Sequence, residues 1–279
     1  MSEPRVILSG LAYVESPRWH DGRLWFAHWG TDEIIAVDLD GAREVVGHGP
    51  GGLGWSIDWL PDGTLLVTGP GLQHQAPDGS LVPHVDLSAL ATDWNELVVD
   101  GRANAYVNGR LFGPPEEGPS GVIALVSPDG GVQQVADGLA FPNGMAVTPD
   151  NRRLIVAESW AEQLTAFDIG DDGTLSGRRV WAATPGDHPD GICLDADGAV
   201  WYADVGNRRC VRVGEGGEVF ATIALDRGAF ACMLGGPDGQ TLFMLAAEWR
   251  GFEEAEEAIA DRTGQVLVAD VPAPRAGWP

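Results

Sequence analysis

DGICLDADGAVWYA, residues 190–203, reads as a single unit: a metal-liking residue opens an apolar strand, an Asp-Gly turn follows, and a second apolar strand returns. Five further stretches repeat it: ESPRWHDGRLWFA from Glu15, SIDWLPDGTLLVT from Ser56, NELVVDGRANAYV from Asn95, NGMAVTPDNRRLIVA from Asn143 and CMLGGPDGQTLFML from Cys232. Short strands and Gly/Asp turns recurring every ~40–50 residues mark a β-propeller, in which four-stranded blades surround a central channel. The chain is therefore expected to be all-β, a six-bladed β-propeller filling residues 1–279 as one domain. Its blades are expected at about 15–46, 56–85, 95–135, 143–181, 190–223 and 232–271. Arg5–Leu8 belongs to no complete blade and is expected to supply the outer strand of the last one, closing the ring so that no sheet edge is left open.

The first strand of a propeller blade lines the channel, so the residues opening these strands should form a ring at one mouth: Glu15, Ser56, Asn95, Asn143, Asp190 and Cys232. Oxygen donors carrying two carboxylates suit a hard divalent cation, Ca²⁺ ahead of Mg²⁺ or Mn²⁺, whereas Zn²⁺ favours the His and Cys that this ring mostly lacks. Two buried carboxylates converging on one axis repel each other, and a divalent ion relieves them. Ser56 and Cys232 read as spacers. The loops joining second to third strands should frame the same mouth, with Trp29, Arg110, Trp160, Asn207 and Arg250 among them. Two of these are long, at about 112–119 and 251–262, and are candidate lids. The acidic EEAEEAIADR is expected to form a helical turn or two with a solvated face.

Composition removes whole classes of function. The formal charge of −24 opposes phosphate backbones and anionic lipid, so the expected partner is a small-molecule substrate, with neither nucleic acid nor membrane. All 17 basic residues are Arg, and the absence of Lys removes Schiff-base, pyridoxal phosphate and P-loop chemistry. Cys193, Cys210 and Cys232 form no C-x-x-C pair and read as reduced thiols, while MSEPRVILSG shows no secretory pattern; both predict a cytoplasmic protein. GPGGLG at 49–54 precedes a strand instead of a helix, which excludes a dinucleotide loop, and DADG and DIGDDG lack the spacing of an EF-hand. No G-x-S-x-G elbow is present. Composition fixes no oligomeric state.

ESPRW at Glu15, FPNGMAVTPDNRRLIVAES around Asn143 and HPDGICLDADGAVWYADVGNRRCVRV around Asp190 resemble the gluconolactonase, regucalcin (senescence marker protein) and luciferin-regenerating enzyme-like family over almost the whole chain. The resemblance implies a six-bladed propeller with one divalent metal held by Glu15, Asn143 and Asp190, and hydrolysis of a lactone. It also implies that Asn95 lies beside the substrate, near or on the metal, and that Asp190 is the general base. Two departures point away from aldonolactones. Asp93 stands where regucalcin-like sugar lactonases carry Arg, and no acidic residue near Gly121 matches their third-blade substrate contact. Arg110 and Arg250 are candidates to hold a polar substituent, and Trp29, Trp160 and Trp249 to supply an apolar wall. An aryl-ester or organophosphate hydrolase, a lyase or isomerase on the same scaffold, and a non-catalytic calcium-binding propeller are the competing readings.

Overall fold

The computed structural model describes residues 1–110 and 119–279. It contains six four-stranded sheets, each an antiparallel meander, arranged as the blades of a propeller. Five blades are continuous in sequence. The sixth combines β22 (Gly228–Gly235), β23 (Thr241–Ala247) and β24 (Gly264–Asp270) with the N-terminal strand β1 (Arg5–Leu11), which pairs antiparallel to β24 from Arg5↔Val268 to Leu11↔Gly264. The predicted closure is thus present, and it ties both ends of the chain into one sheet.

Burial follows each strand's place in its blade. Inner strands such as β14 (Pro142–Val147) are buried along their whole length, because they face the channel on one edge and neighbouring blades on both faces. Outer strands such as β5 (Arg43–His48) are mostly exposed. The seam between first and last blades is sealed by Trp19 stacked on Phe243 at 5.4 Å, within the largest apolar cluster. Cys193, Cys210 and Cys232 all lie buried in that same cluster as free thiols.

The inner strands approach one another so closely that two positions admit only glycine. A Cβ on Gly144 would lie 2.6 Å from the Ile192 nitrogen and 2.7 Å from the Asp190 carbonyl, and one on Gly191 would lie 2.5 Å from the Ala231 Cβ. The Asn-Gly and Asp-Gly pairs that open these strands are therefore a packing requirement as well as a ring signature. On the face opposite the ring residues, the C-terminal segment lies across the hairpin turns of three blades. Arg275 N donates to Gly239 O at 2.9 Å, Ala276 N to Leu194 O at 3.0 Å, and Val147 N to Trp278 O at 2.7 Å.

Candidate active site

Four of the ring residues lie at a local break in strand pairing. Register shifts fall between Glu15 and Arg18 in β2 (Val14–His20), between Trp94 and Leu97 in β10 (Asp93–Val99), between Pro142 and Met145 in β14, and between Pro189 and Ile192 in β18 (Pro189–Leu194). A bulge inserts a residue that the partner strand cannot match and turns its side chain out of the ladder. Here the residues in or beside the bulges are Glu15, Asn95, Asn143 and Asp190, so four separate blades aim oxygen donors toward one end of the channel.

The sixth blade departs from the expected ring. Its bulge lies between Ala229 and Ala231, and the contacts of Gly191 with Ala231 and with the Phe230 carbonyl repeat those of Gly144 with Gly191 and the Asp190 carbonyl. Phe230, not Cys232, therefore occupies the ring position. Glu15 and Ser56 stand six residues before the Asp of their turns, Asp21 and Asp62, whereas Phe230 stands eight before Asp238, so counting back six from the turn lands two residues too deep in the strand, on Cys232. Cys232 sits below the ring, its Sγ donating to Gly191 O at 3.6 Å. Burial and the neighbouring Cys193 and Cys210 push its thiol well up, which leaves it neutral and unsuited to nucleophilic work.

Glu15 is 4% exposed, Asn143 is 9% exposed, and Asp190 and Asn95 are half-buried. Just below them is a void of ≈ 10 Å³, room for about one water, lined by Glu15, Arg18, Glu96, Gly144 and Gly191 among others. Glu96 was not singled out by the repeat, because it is the residue after the ring position; a lone charge inside the apolar run WNELVV is the signal that points to it. Burial raises the Glu15 carboxyl well above the usual carboxylate range, and the charges of Asp190 and Glu96 raise it further, against the Ser16 N–H bond (2.9 Å) and Arg18. Burial likewise raises Asp190, reinforced by Glu96 and Asp204 and opposed by a hydrogen bond from Asn143. Glu96 is also raised by burial despite Arg18. Arg18 neutralises only loosely, standing 3.8 Å from Glu96 and 3.7 Å from Asp58 while its firm bonds go to the carbonyls of Leu97 (2.7 Å) and Pro17 (2.9 Å).

Polar partners fix the two asparagines. Asn143 Nδ2 donates to Ser159 Oγ at 3.5 Å and to Asp190, which leaves the Oδ1 lone pairs to face a cation. Asn108 Nδ2 donates to the Asn143 carbonyl at 2.7 Å, and its Oδ1 accepts from Glu96 N at 3.2 Å. Thr68 Oγ1 donates to the Asn95 carbonyl and accepts from Ser56 N at 2.8 Å; Ser56 Oγ donates to Ser16 Oγ at 2.9 Å. Ser56 thus supports backbone beside the site. Among the described residues, no three or more His, Cys, Asp or Glu side chains are grouped as a metal site. The donor set is mixed, two crowded carboxylates with two amides, and its excess negative charge fits a hard divalent cation.

The other candidates are distributed unevenly around the rim. Asp93 and Arg110 face each other across β10 and β11 (Ala105–Arg110) as an exposed ion pair at 3.0 Å. Arg250 is held by Glu248 and Asp261, each at 2.7 Å. Neither arginine is a free cation at the mouth. Trp160 is 61% exposed and stacks on Phe141 at 4.6 Å. Trp29 and Trp249 pack with buried Tyr13, Phe230 and Ala258. Ala258 belongs to the helix α1 (Ala255–Asp261), which the acidic stretch forms, so one flank of that segment is an apolar cover over the blade-one and blade-six rim. The expected lid at 112–119 falls almost wholly outside the described residues.

A profile of the SMP-30/Gluconolactonase/LRE-like region matches residues 13–248. The chain belongs to this family. Pentonolactonase XacC of Haloferax volcanii is 24% identical over 284 residues, covering 98% of this chain and 96% of its own. Among solved structures, a luciferin-regenerating enzyme superposes with a TM-score of 0.80 at 17% identity over 98% of each chain. A regucalcin from Agrobacterium tumefaciens, described as a calcium-binding protein, superposes with a TM-score of 0.79 at 18% identity, covering 100% of this chain and 99% of its own. The two superpositions bear on the six-bladed fold.

Proposed function

We propose that the protein hydrolyses a lactone or similar cyclic ester, with Glu15, Asn143 and Asp190 holding a divalent cation, Ca²⁺ foremost, and Asn95 beside it. The observation that carries this reading is the crowding of Glu15, Glu96 and Asp190 around one mouth, three carboxyl groups raised by burial with a single loosely placed arginine among them. Such an arrangement costs stability in a protein that binds nothing there, and groups of this kind concentrate at functional sites. Membership of a family whose relatives include a pentonolactonase supports the choice of reaction, and the calcium-binding regucalcin supports the choice of ion.

When bound, the cation would act as a Lewis acid on the ester carbonyl. Asp190 accepts the proton of the attacking water as the oxygen adds to the carbonyl carbon. The ring C–O bond then breaks, and the departing alkoxide takes that proton back from Asp190, giving the open hydroxy acid and restoring the carboxylate. Asn95 orients the ester through its amide. Asn143, braced by Ser159 and Asn108, holds Asp190 in register through its amide N–H. The deep void below the ring has room for about one water, so a substrate must be held at the mouth itself. The test is a panel of lactones, aryl esters and phosphotriesters assayed before and after chelation. Lactone turnover that vanishes with chelator and returns with Ca²⁺ is expected. Preferential turnover of another class, or full activity in metal-stripped protein, overturns the reading.

A further inference from the structure

His188 lies two residues ahead of Asp190 and is exposed. Its Nδ1 is 2.9 Å from the Ser159 carbonyl oxygen. A carbonyl only accepts, so Nδ1 carries the proton, and in the neutral ring Nε2 is then an acceptor. Among the described residues Nε2 has no hydrogen-bond partner. The side chain is also tied to the ring residues: Ser159 is 6% exposed, its Oγ donates to the Pro189 carbonyl at 2.8 Å and accepts from Asn143 Nδ2 at 3.5 Å. One buried serine therefore sets the positions of Asn143, of the backbone entering Asp190, and of the His188 imidazole. Directly after Ser159 comes exposed Trp160, stacked on Phe141 at an interplanar angle of 19°. Phe141 adopts φ 58°, a conformation costly for a bulky residue and found where surrounding structure enforces it.

The geometry points to His188 Nε2 as a specificity-determining acceptor for a hydroxyl group carried by the lactone, with the Trp160 face alongside it. This rests on the lactonase reading and deepens it: the substrate class becomes a hydroxylated lactone recognised from the blade-four and blade-five rim. In the neutral ring Nε2 accepts, so the group it recognises is one that can donate, a hydroxyl.

The experiment compares γ-butyrolactone with its α-hydroxy and β-hydroxy derivatives, which differ by a single hydroxyl. One hydroxylated form should be preferred in kcat/KM by about fivefold or more, the range of one net hydrogen bond. His188→Asn places an amide N–H near the Nδ1 position, so the Ser159 bond is kept while the outer nitrogen is lost; the preference should fall to about one, through KM. His188→Gln, whose amide reaches the Nε2 position, should restore part of it. A preference that survives in His188→Asn, or that is lost equally in both variants, overturns the assignment. If the wild type turns over none of these lactones, the hydrolase reading fails. Calorimetric binding of the same lactones then decides: tighter binding of a hydroxylated form that His188→Asn abolishes upholds the subsite, and equal binding overturns it.

Discussion

Two kinds of buried carboxyl group in this propeller behave in opposite ways. Glu158, at the end of β15 (Arg153–Glu158), is 1% exposed, yet its carboxyl is held below the usual range. Burial would raise it, but Thr165 Oγ1, the Ala140 N–H at 2.7 Å, Gln163 Nε2 at 3.2 Å and Arg178 at 3.1 Å together outweigh burial. Glu15 and Asp190 are raised instead, because burial is met by few hydrogen bonds to their oxygens and neighbouring carboxylates add to it, outweighing Arg18 at Glu15. The first arrangement is complete without a ligand. The second is not, and the difference separates a structural carboxylate from a functional one more surely than burial alone.

The largest effect should come from Asp190→Asn. It removes a ligand charge and the proton acceptor together, so hydrolysis is expected to fall by at least about 10²-fold, within the range for general bases. Calcium affinity should weaken, while the thermal midpoint of the metal-free protein holds or rises, because a repulsive charge is gone. Activity that recovers fully at high Ca²⁺ would make Asp190 a ligand and not the base. Glu158→Gln should do the reverse. Losing a fully bonded buried carboxylate is expected to cost about 1–3 kcal/mol in unfolding free energy, with kcat kept within a few-fold at low temperature. A variant as stable as wild type would erase the contrast.

How far the sequence alone anticipated this arrangement depends on residue and scale. The six strand-turn-strand repeats gave the blade number and the closing strand, since period-two burial and Asp-Gly turns are local properties. Glu15, Asn95, Asn143 and Asp190 were legible because each opens its strand at the same phase. Phe230 was not, since it stands two residues farther from its turn, Asp238, than Glu15 and Ser56 do from theirs, and only strand register reveals it. Glu96 and Arg18 act through neighbours on other blades, and Ser159 and Asn108 through hydrogen bonds across blade seams, which no spacing within one repeat encodes. The helix α1 was foreseen, but its apolar contact with Tyr13 and Phe230 depends on chain closure.

Titration sharpens the comparison with a smaller effect. Groups whose folded values are raised, Glu15, Glu96 and Asp190, contribute stability that is complete below the ordinary carboxylate range and is lost as pH rises through their elevated values. Glu158 has the opposite sign: its contribution is present above the ordinary range and disappears as pH falls through its depressed value. In metal-free protein the thermal midpoint should therefore climb by a few degrees as pH is lowered from the alkaline side toward the ordinary carboxylate range, then fall on strong acidification. Saturating Ca²⁺ should abolish the climb, because the cation favours the ionised forms. Glu158→Gln should flatten only the acid limb. A metal-free midpoint that nowhere climbs as pH falls from the alkaline side to the ordinary carboxylate range would show that the axis carboxyls are not raised.

The smallest effect tests the rim. The resemblance to regucalcin-like sugar lactonases implies an Arg at the position of Asp93, and a lone acid there would be expected to disfavour a polyhydroxylated substrate. The structure moderates that expectation, since Asp93 and Arg110 neutralise each other across β10 and β11, and exposed pairs of this kind are worth about 0–1 kcal/mol. Unlike the axis carboxyls, this one has its counter-charge, so Asp93→Ala should change kcat/KM for a simple alkyl lactone by no more than about threefold and cost little stability. Its main consequence should be a freed Arg110 and a modest gain toward gluconolactone relative to the alkyl lactone. Both rates are measured at saturating Ca²⁺. A wild-type preference for gluconolactone of about tenfold or more, about 1.4 kcal/mol in transition-state binding, would show that the Asp93–Arg110 pair does not set specificity and that recognition lies elsewhere on the rim.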